Sequence, residues 1–380
     1  MTTLDPVAEA DRAAAAGDLD RAERLLVGHA QTEPGNAELW LRIAALRRAA
    51  AKPALALEAV ERALGAAPLD FTALLMRASL LERLGNPAAD KAWENALAQR
   101  PDGELPAQLA AVVARGETRV AEWRDEREAR MLAACDAASA DEEERARIAR
   151  FRNNILRRTR PFHSEPAEFH FSGLAEREFH PRRLFPWLAD LEAATGIIER
   201  ELAAVMAAER AELVPYIQYA EHMPLAQWRP LNHSRDWTAI HLWQNGRRIE
   251  ANARHCPATL ALLDTFGPLR VPGASPNAMF SLLAPGTTIP PHVGVSNARL
   301  VCHLPLVVPP GCWFRVGAET RVWERGSAFV FDDTIEHEAA NPSDQLRVVL
   351  IFDVWHPDLS PVERDAVAAI IGAEGGATGL

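Results

Sequence analysis

The run whose reading decides the fold is 291-PHVGVSNARLVCHLPLVV-308, echoed downstream by 331-FDDTIEHEAANPSDQLRVVLIFDVWHP-357. Strand side chains alternate faces, so in 299-RLVCHLPLV-307 residues Arg299, Val301 and His303 share one face, and Leu300, Cys302 and Leu304 the other. An arginine and a histidine opposite an apolar face suggest a polar pocket inside a barrel. In 347-RVVLIFD-353 the residues Arg347, Val349, Ile351 and Asp353 share a face likewise. Burying an arginine is costly unless an anion meets it, so Arg347 asks for a carboxylate. A dicarboxylic cosubstrate gripped by the guanidinium fork supplies one.

His292 and His337 each lie in a short apolar run, 45 residues apart, and Arg347 follows the second by ten. That spacing suggests a non-haem iron site. The carboxylate expected two residues after the first histidine is absent, because that position is Gly294. Asp333 or Glu338 could supply one instead. Adjacent strand residues point to opposite faces, which weighs against Glu338, and Asp333 belongs to the turn before the strand.

Outward from these runs, the chain from 161 to 380 holds eleven of the twelve histidines, with short β-type stretches between turn clusters. The expected strands are NAMFSLLA, TTIPPHV, ARLVCHLPLVV, CWFRVG, TRVW, SAFVFDD and LRVVLIFDVW. Short strands at such spacing indicate a sandwich or barrel. FPWLADLEAATGIIERELAAVMAAERAE, ahead of them, reads as helix packed against the sheet.

Residues 1–115 differ in character. Apolar residues recur at helical spacing and turn signals recur at a fixed interval. Gly17, Ala51 and Gly85 are 34 residues apart, as are Pro34 and Pro68, with Pro101 33 further on. Such a helix-turn-helix period resembles the tetratricopeptide repeat, a solenoid expected to dock a partner or substrate. Residues 116–160 are highly charged and read as a solvated helical linker, ending in the basic 150-RFRNNILRRTR-160. The expected class is thus α+β and multidomain, a helical solenoid followed by an all-β core with flanking helices.

Composition narrows the function classes. Net charge is -11 at pH 7, which argues against nucleic acid or an anionic membrane surface as the main partner. Cys135, Cys256, Cys302 and Cys312 form no C-x-x-C pair, which fits a reducing compartment. The acidic MTTLDPVAEADRAAAAGDLD does not read as a signal peptide, and no apolar run reaches the roughly 18 residues of a membrane span. The expectation is a cytoplasmic protein.

Over about residues 165–365, the blocks 242-LWQNGRR-248, 281-SLLAPGTTIPPHVGVSNARLVCHL-304, 327-SAFVFDDTIEHEAAN-341 and 347-RVVLIFDVWHPDLSPVER-364 occur in order. Together they resemble the aspartyl/asparaginyl β-hydroxylase family of Fe(II)- and 2-oxoglutarate-dependent oxygenases. The resemblance implies a double-stranded β-helix (cupin-like jelly roll) and, unusually, iron held by two histidines with no carboxylate. On that pattern His292 and His337 are the metal ligands. Arg347 pairs with the distal carboxylate of 2-oxoglutarate, Ser281 adds a hydroxyl, and His303 and Trp243 line the cosubstrate site near its other end. Each has a plainer alternative: Trp243 as core, Ser281 as a strand-end hydroxyl, His303 as a satisfied buried histidine. The implied reaction consumes O2, converts 2-oxoglutarate to succinate and CO2, and hydroxylates an unactivated C–H.

The chain departs from the family at one place. The animal hydroxylases carry Arg-x-Arg-x-His on the pocket strand, and those arginines hold the acidic side chain being hydroxylated. Here Arg299 is present but the second is Val301. One charge-assisted donor, worth roughly 1.5–3 kcal/mol, is lost. The expected substrate is an Asp/Asn-type side chain of a peptide or protein docked by the repeats. The same chemistry on a small molecule or lipid headgroup, or a non-catalytic scaffold, are the alternatives. Retention of His292, His337 and Arg347 together argues against the scaffold.

Overall fold

The computed structural model describes residues 5–135, 138–208, 213–220 and 222–374. They fall into two compact units, Met1–Ala140 and Asp141–Leu380. The first consists of helices α1 (Pro6–Ala15), α2 (Leu19–Thr32), α3 (Ala37–Ala49), α4 (Pro53–Ala66), α5 (Phe71–Arg83), α6 (Ala89–Leu97) and α7 (Ala107–Ala134). Each packs on the next, so α1–α2, α3–α4 and α5–α6 form stacked hairpins. Alanines at 0% exposure, including Ala22, Ala44, Ala56 and Ala63, let the helices approach closely.

The periodic turn residues have a common backbone cause. Gly17 (φ 82°), Ala51 (φ 56°) and Gly85 (φ 64°) all stand in the left-handed region that ends a helix. After them Asp18, Lys52 and Asn86 donate their N–H back to the carbonyls of Ala13, Arg47 and Leu81. Asp18, Asn36 and Asp70 then cap the following helices through side-chain oxygens.

The boundary expected at residue 115 does not exist in the structure. Helix α7 runs through it, because residues on both sides of that point pack against α6. The fully buried Trp93 lies against Gly116, where an added Cβ would meet the indole at 2.6 Å. Arg119 pairs with Asp90 at 2.7 Å and Arg124 with Glu94 at 3.0 Å. The charged segment is therefore not one solvated linker. Its later part, helix α8 (Glu142–Ile155), belongs to the second unit, where Arg150 pairs with Glu178 and Glu319. Arg160, at the end of the basic run, pairs with Glu336 at 3.1 Å.

The second unit is built on two antiparallel sheets. Its strands are β1 (Val214–Pro215), β2 (Trp237–Gln244), β3 (Arg247–Arg248), β4 (Ala278–Leu283), β5 (Thr287–His292), β6 (Arg299–Val307), β7 (Trp313–Val316), β8 (Glu319–Val322), β9 (Phe329–Phe331), β10 (His337–Asn341) and β11 (Arg347–Trp355). The larger sheet runs β1-β2-β4-β11-β6-β9 with β3 on β2, and the smaller runs β5-β10-β7-β8. Trp237, Leu283, Val301 and Val349 of the first share a buried core with Ile289, Phe314, Val316 and Ala339 of the second. The outer face of the larger sheet packs Ile240, Leu300, Cys302 and Leu350 against α9 (Leu188–Ala193), α10 (Thr195–Ala207) and α12 (Pro257–Thr265). Helices α11 (Glu250–Ala253) and α13 (Pro361–Ala373) complete the unit. Residues 209–212, the end of the expected helix before the strands, lie outside the described residues.

Strands β2 and β10 were not among the expected ones. HEAAN has poor β propensity and is extended because β5 and β7 hold it on both sides. Among the described residues no helix is long and apolar enough to cross a membrane.

Candidate functional site

A cavity of about 720 Å³ opens between the two sheets, and most of the residues singled out above line it. His292 ends β5 and His337 begins β10, directly paired across the strands, with ring centroids 4.0 Å apart. Each ring is oriented by its own backbone. Nδ1 of His292 lies 2.8 Å from the Pro290 carbonyl, and Nδ1 of His337 lies 3.1 Å from that of Ile335. A carbonyl only accepts, so Nδ1 carries the proton and Nε2 keeps its lone pair. Burial and the neighbouring His337 push His292 down to about 3. Burial pushes His337 down to about 4. Both are neutral at pH 7, the form that binds a divalent metal.

Gly294 is accounted for by its neighbour. A Cβ at this position would lie 2.1 Å from Oδ2 of Asp333, so no side chain fits there. The turn before β10 brings Asp333 into the space, and the N–H of Gly294 donates to the Asp333 carbonyl at 2.7 Å. Arg299 Nη2 donates to Asp333 Oδ2 at 2.8 Å, while Oδ1 has no hydrogen-bond partner. Glu338 turns to Arg315 instead. Among the described residues no group of three or more His, Cys, Asp or Glu side chains is placed to hold a metal.

Arg347 is 2% exposed and has no carboxylate within ion-pair reach among the described residues. Its Nη1 lies 3.4 Å from both the carbonyl and the hydroxyl of Ser281, its guanidinium stacks 4.5 Å from the Trp323 ring, and its Nε has no partner. Burial pushes it down to about 9, so it is a cation at neutral pH. His303 lies in the same cavity, its ring against Phe331 and Phe314. Its Nδ1 is buried without a partner, and burial together with Arg347 holds the ring neutral. The unmet Arg347 Nε, His303 Nδ1 and Asp333 Oδ1 fit a bound metal with an anionic ligand beside it.

Of the expected site residues, His292, His337, Arg347, Ser281, His303, Arg299 and Val301 all line this cavity. Trp243 does not. It packs against the core on the helix side of the larger sheet. A bulge in β2 between His241 and Trp243 is the reason: it reverses the alternation that places Trp237 and His241 in the cavity. The tryptophan at the site is Trp237, whose Nε1 donates to Ser281 Oγ at 3.0 Å and whose ring stacks on Tyr216 at 3.8 Å. Trp323 beneath Arg347 and the unpartnered His241 were also missed. Neither sits in a run that marks it, although Trp237 follows an acidic turn as DW. Arg247 and Arg248 are exposed and do not line the cavity, and Arg248 pairs with Glu250. His356 lies buried against Ala175 and His180 and does not line the cavity.

Comparison with known proteins converges on this unit. The family profile described as Aspartyl/Asparaginyl beta-hydroxylase matches residues 192–357, a span that includes both histidines and Arg347. The aspartyl/asparaginyl beta-hydroxylase of Mus musculus is 34% identical over 206 residues, covering 53% of this chain and 28% of that protein. That of Homo sapiens is 33% identical over 205 residues, covering 53% and 27%. Aspartate beta-hydroxylase domain-containing protein 2 of Homo sapiens is 37% identical over 137 residues, covering 35% and 37%. The chain therefore spans little more than a quarter of the length of these mouse and human hydroxylases.

Proposed function

We propose that this protein, whose residues 192–357 match the aspartyl/asparaginyl β-hydroxylase profile, is an Fe(II)- and 2-oxoglutarate-dependent dioxygenase. It hydroxylates a C–H of an Asp/Asn-type side chain in a peptide or protein. The observation that carries this reading is Arg347, a buried cation with no carboxylate partner among the described residues, lining the same cavity as a pair of neutral histidines. A buried unpaired charge is retained at a cost in stability, and an anionic ligand removes that cost.

His292 and His337 would hold iron through their Nε2 atoms, and with 2-oxoglutarate and O2 the metal would supply the oxidation that hydroxylates the C–H, with succinate and CO2 as the other products. The chain's own residues do the rest. Arg347 and Ser281 take the distal carboxylate in charge-assisted hydrogen bonds. Trp237, holding Ser281 Oγ, fixes the hydroxyl's orientation. His303, whose buried Nδ1 has no partner, would line the cosubstrate site near its other end. Phe314, Phe331 and Trp323 wall the cavity and keep water from the reacting centre. The facing antiparallel sheets support a double-stranded β-helix. The stacked hairpins support docking of a peptide or protein substrate.

The test is an anaerobic titration of Fe(II) into the protein with and without 2-oxoglutarate, read by the visible charge-transfer band. The band forms in wild type, is absent in His337→Ala, and needs far more 2-oxoglutarate in Arg347→Ala. A wild-type protein that holds no metal and shows no band refutes the proposal.

A further inference from the structure

The two ends of the cavity differ in charge. Arg347 stands alone at one end. At the other, Arg299 gives Nη2 to Asp333 Oδ2, while Arg299 Nε, a donor, and Asp333 Oδ1, an acceptor, are both buried without partners, and a second carboxylate lies close by. Asp353 faces Val301 across the β11–β6 pairing, and its oxygens accept from Ser275 Oγ at 2.7 Å, Asn277 N at 3.0 Å and Asn277 Nδ2 at 3.0 Å. Burial pushes the Asp353 carboxyl up, and Arg299 is the first influence pulling it back. Glu336 and Glu338 also line the cavity, both tied to Arg315. The charged lining is thus two arginines against four carboxylates, and Arg347 is reserved for the cosubstrate. The remaining polar lining includes neutral amides, among them Gln227, Gln244 and Asn245.

We propose that the side chain hydroxylated in this pocket ends in a neutral carboxamide rather than a carboxylate. The proposal rests on the reading of the site as an oxygenase pocket with a peptide or protein substrate. A carboxylate taking the free Arg299 Nε must share that cation with Asp333 while meeting the unpartnered Asp333 Oδ1 and lying near Asp353, and Val301 offers it no donor. Like charges in a desolvated site repel strongly. A carboxamide brings no charge, donates its N–H groups to carboxylate oxygens and accepts from a guanidinium through its carbonyl. Discrimination of this kind comes as much from repulsion of the wrong group as from attraction of the right one.

The experiment uses two peptide libraries with identical randomised flanks, one centred on Asn and one on Asp. Both are passed under argon over the immobilised full chain loaded with Mn(II) and 2-oxoglutarate, and retained peptides are quantified by mass spectrometry. Asn peptides are retained at least about tenfold over Asp peptides, equivalent to about 1.4 kcal/mol. Val301→Arg, with its fold checked by thermal unfolding, brings the ratio toward one. Should that variant fail to fold, Glu338→Gln raises Asp retention in its place. Equal retention, a preference for Asp, or retention of neither library overturns the proposal. The anaerobic Fe(II) band, measured on the same preparation, separates the two failures: a band with equal retention removes only the carboxamide preference, and no band removes the oxygenase reading beneath it.

Discussion

Replacing Arg347 with methionine separates a functional charge from a structural one, because the two readings predict opposite signs. The guanidinium is 2% exposed, pairs with no carboxylate, and makes only two hydrogen bonds at 3.4 Å. Burial pushes it down to about 9, a cost on the order of a few kcal/mol. Stacking on Trp323 returns about 2 kcal/mol. Methionine fills similar volume without charge, so the ligand-free oxygenase unit is stabilised by about 1–3 kcal/mol, within the range seen when buried ions become apolar. The ligand response moves the other way. At a hundredfold excess over Kd, 2-oxoglutarate with Mn(II) stabilises the wild type by about 2.7 kcal/mol, and Arg347→Met loses this. Urea unfolding followed by tryptophan fluorescence reads both, since Trp228, Trp237 and Trp323 line the site. A variant that is less stable than wild type without ligand, or that keeps the full 2-oxoglutarate response, refutes the reasoning.

Further predictions concern other parts of the chain. Gly294→Ala drives a Cβ onto Asp333 and breaks its pair with Arg299, costing about 3–5 kcal/mol. In a cycle with Asp333→Ala the two losses overlap by at least about 1 kcal/mol in chemical denaturation, and additive losses would count against the contact. Ala51→Gly relieves a non-glycine residue at φ 56° and stabilises the helical unit by about 0.5–1 kcal/mol, seen as a raised Tm in far-UV circular dichroism. Burial, then His356 and Arg177, holds His180 down at about 3, against 6.5 unfolded. The unfolded chain therefore takes up the extra proton, and stability is full above 6.5 and falls with pH between about 6.5 and about 3. His180→Phe flattens that slope by up to about 1.4 kcal/mol per pH unit, and an unchanged slope in acid denaturation would show that His180 is not its source.

What the sequence determined by itself is whatever follows from a local period or a local cost. The 34-residue spacing of Gly17, Ala51 and Gly85 marks backbone turns that any helical hairpin requires, and it is legible because a left-handed residue leaves a compositional trace. Alternation along β6 and β11 set Arg299, His303 and Arg347 on one face, because strand geometry has period two. The tertiary structure alone decided what depends on residues distant in the chain. A bulge in the pairing with β4, between His241 and Trp243, turned Trp243 out of the cavity that Trp237 and His241 line. The Ala-rich HEAAN became strand β10 because β5 and β7 supply its hydrogen bonds. Asp333 fills the space left by Gly294 and occupies Arg299, across separations of 39 and 34 residues that carry no periodic signal. Periodicity fixes which way a side chain faces, but only long-range packing fixes what it meets there.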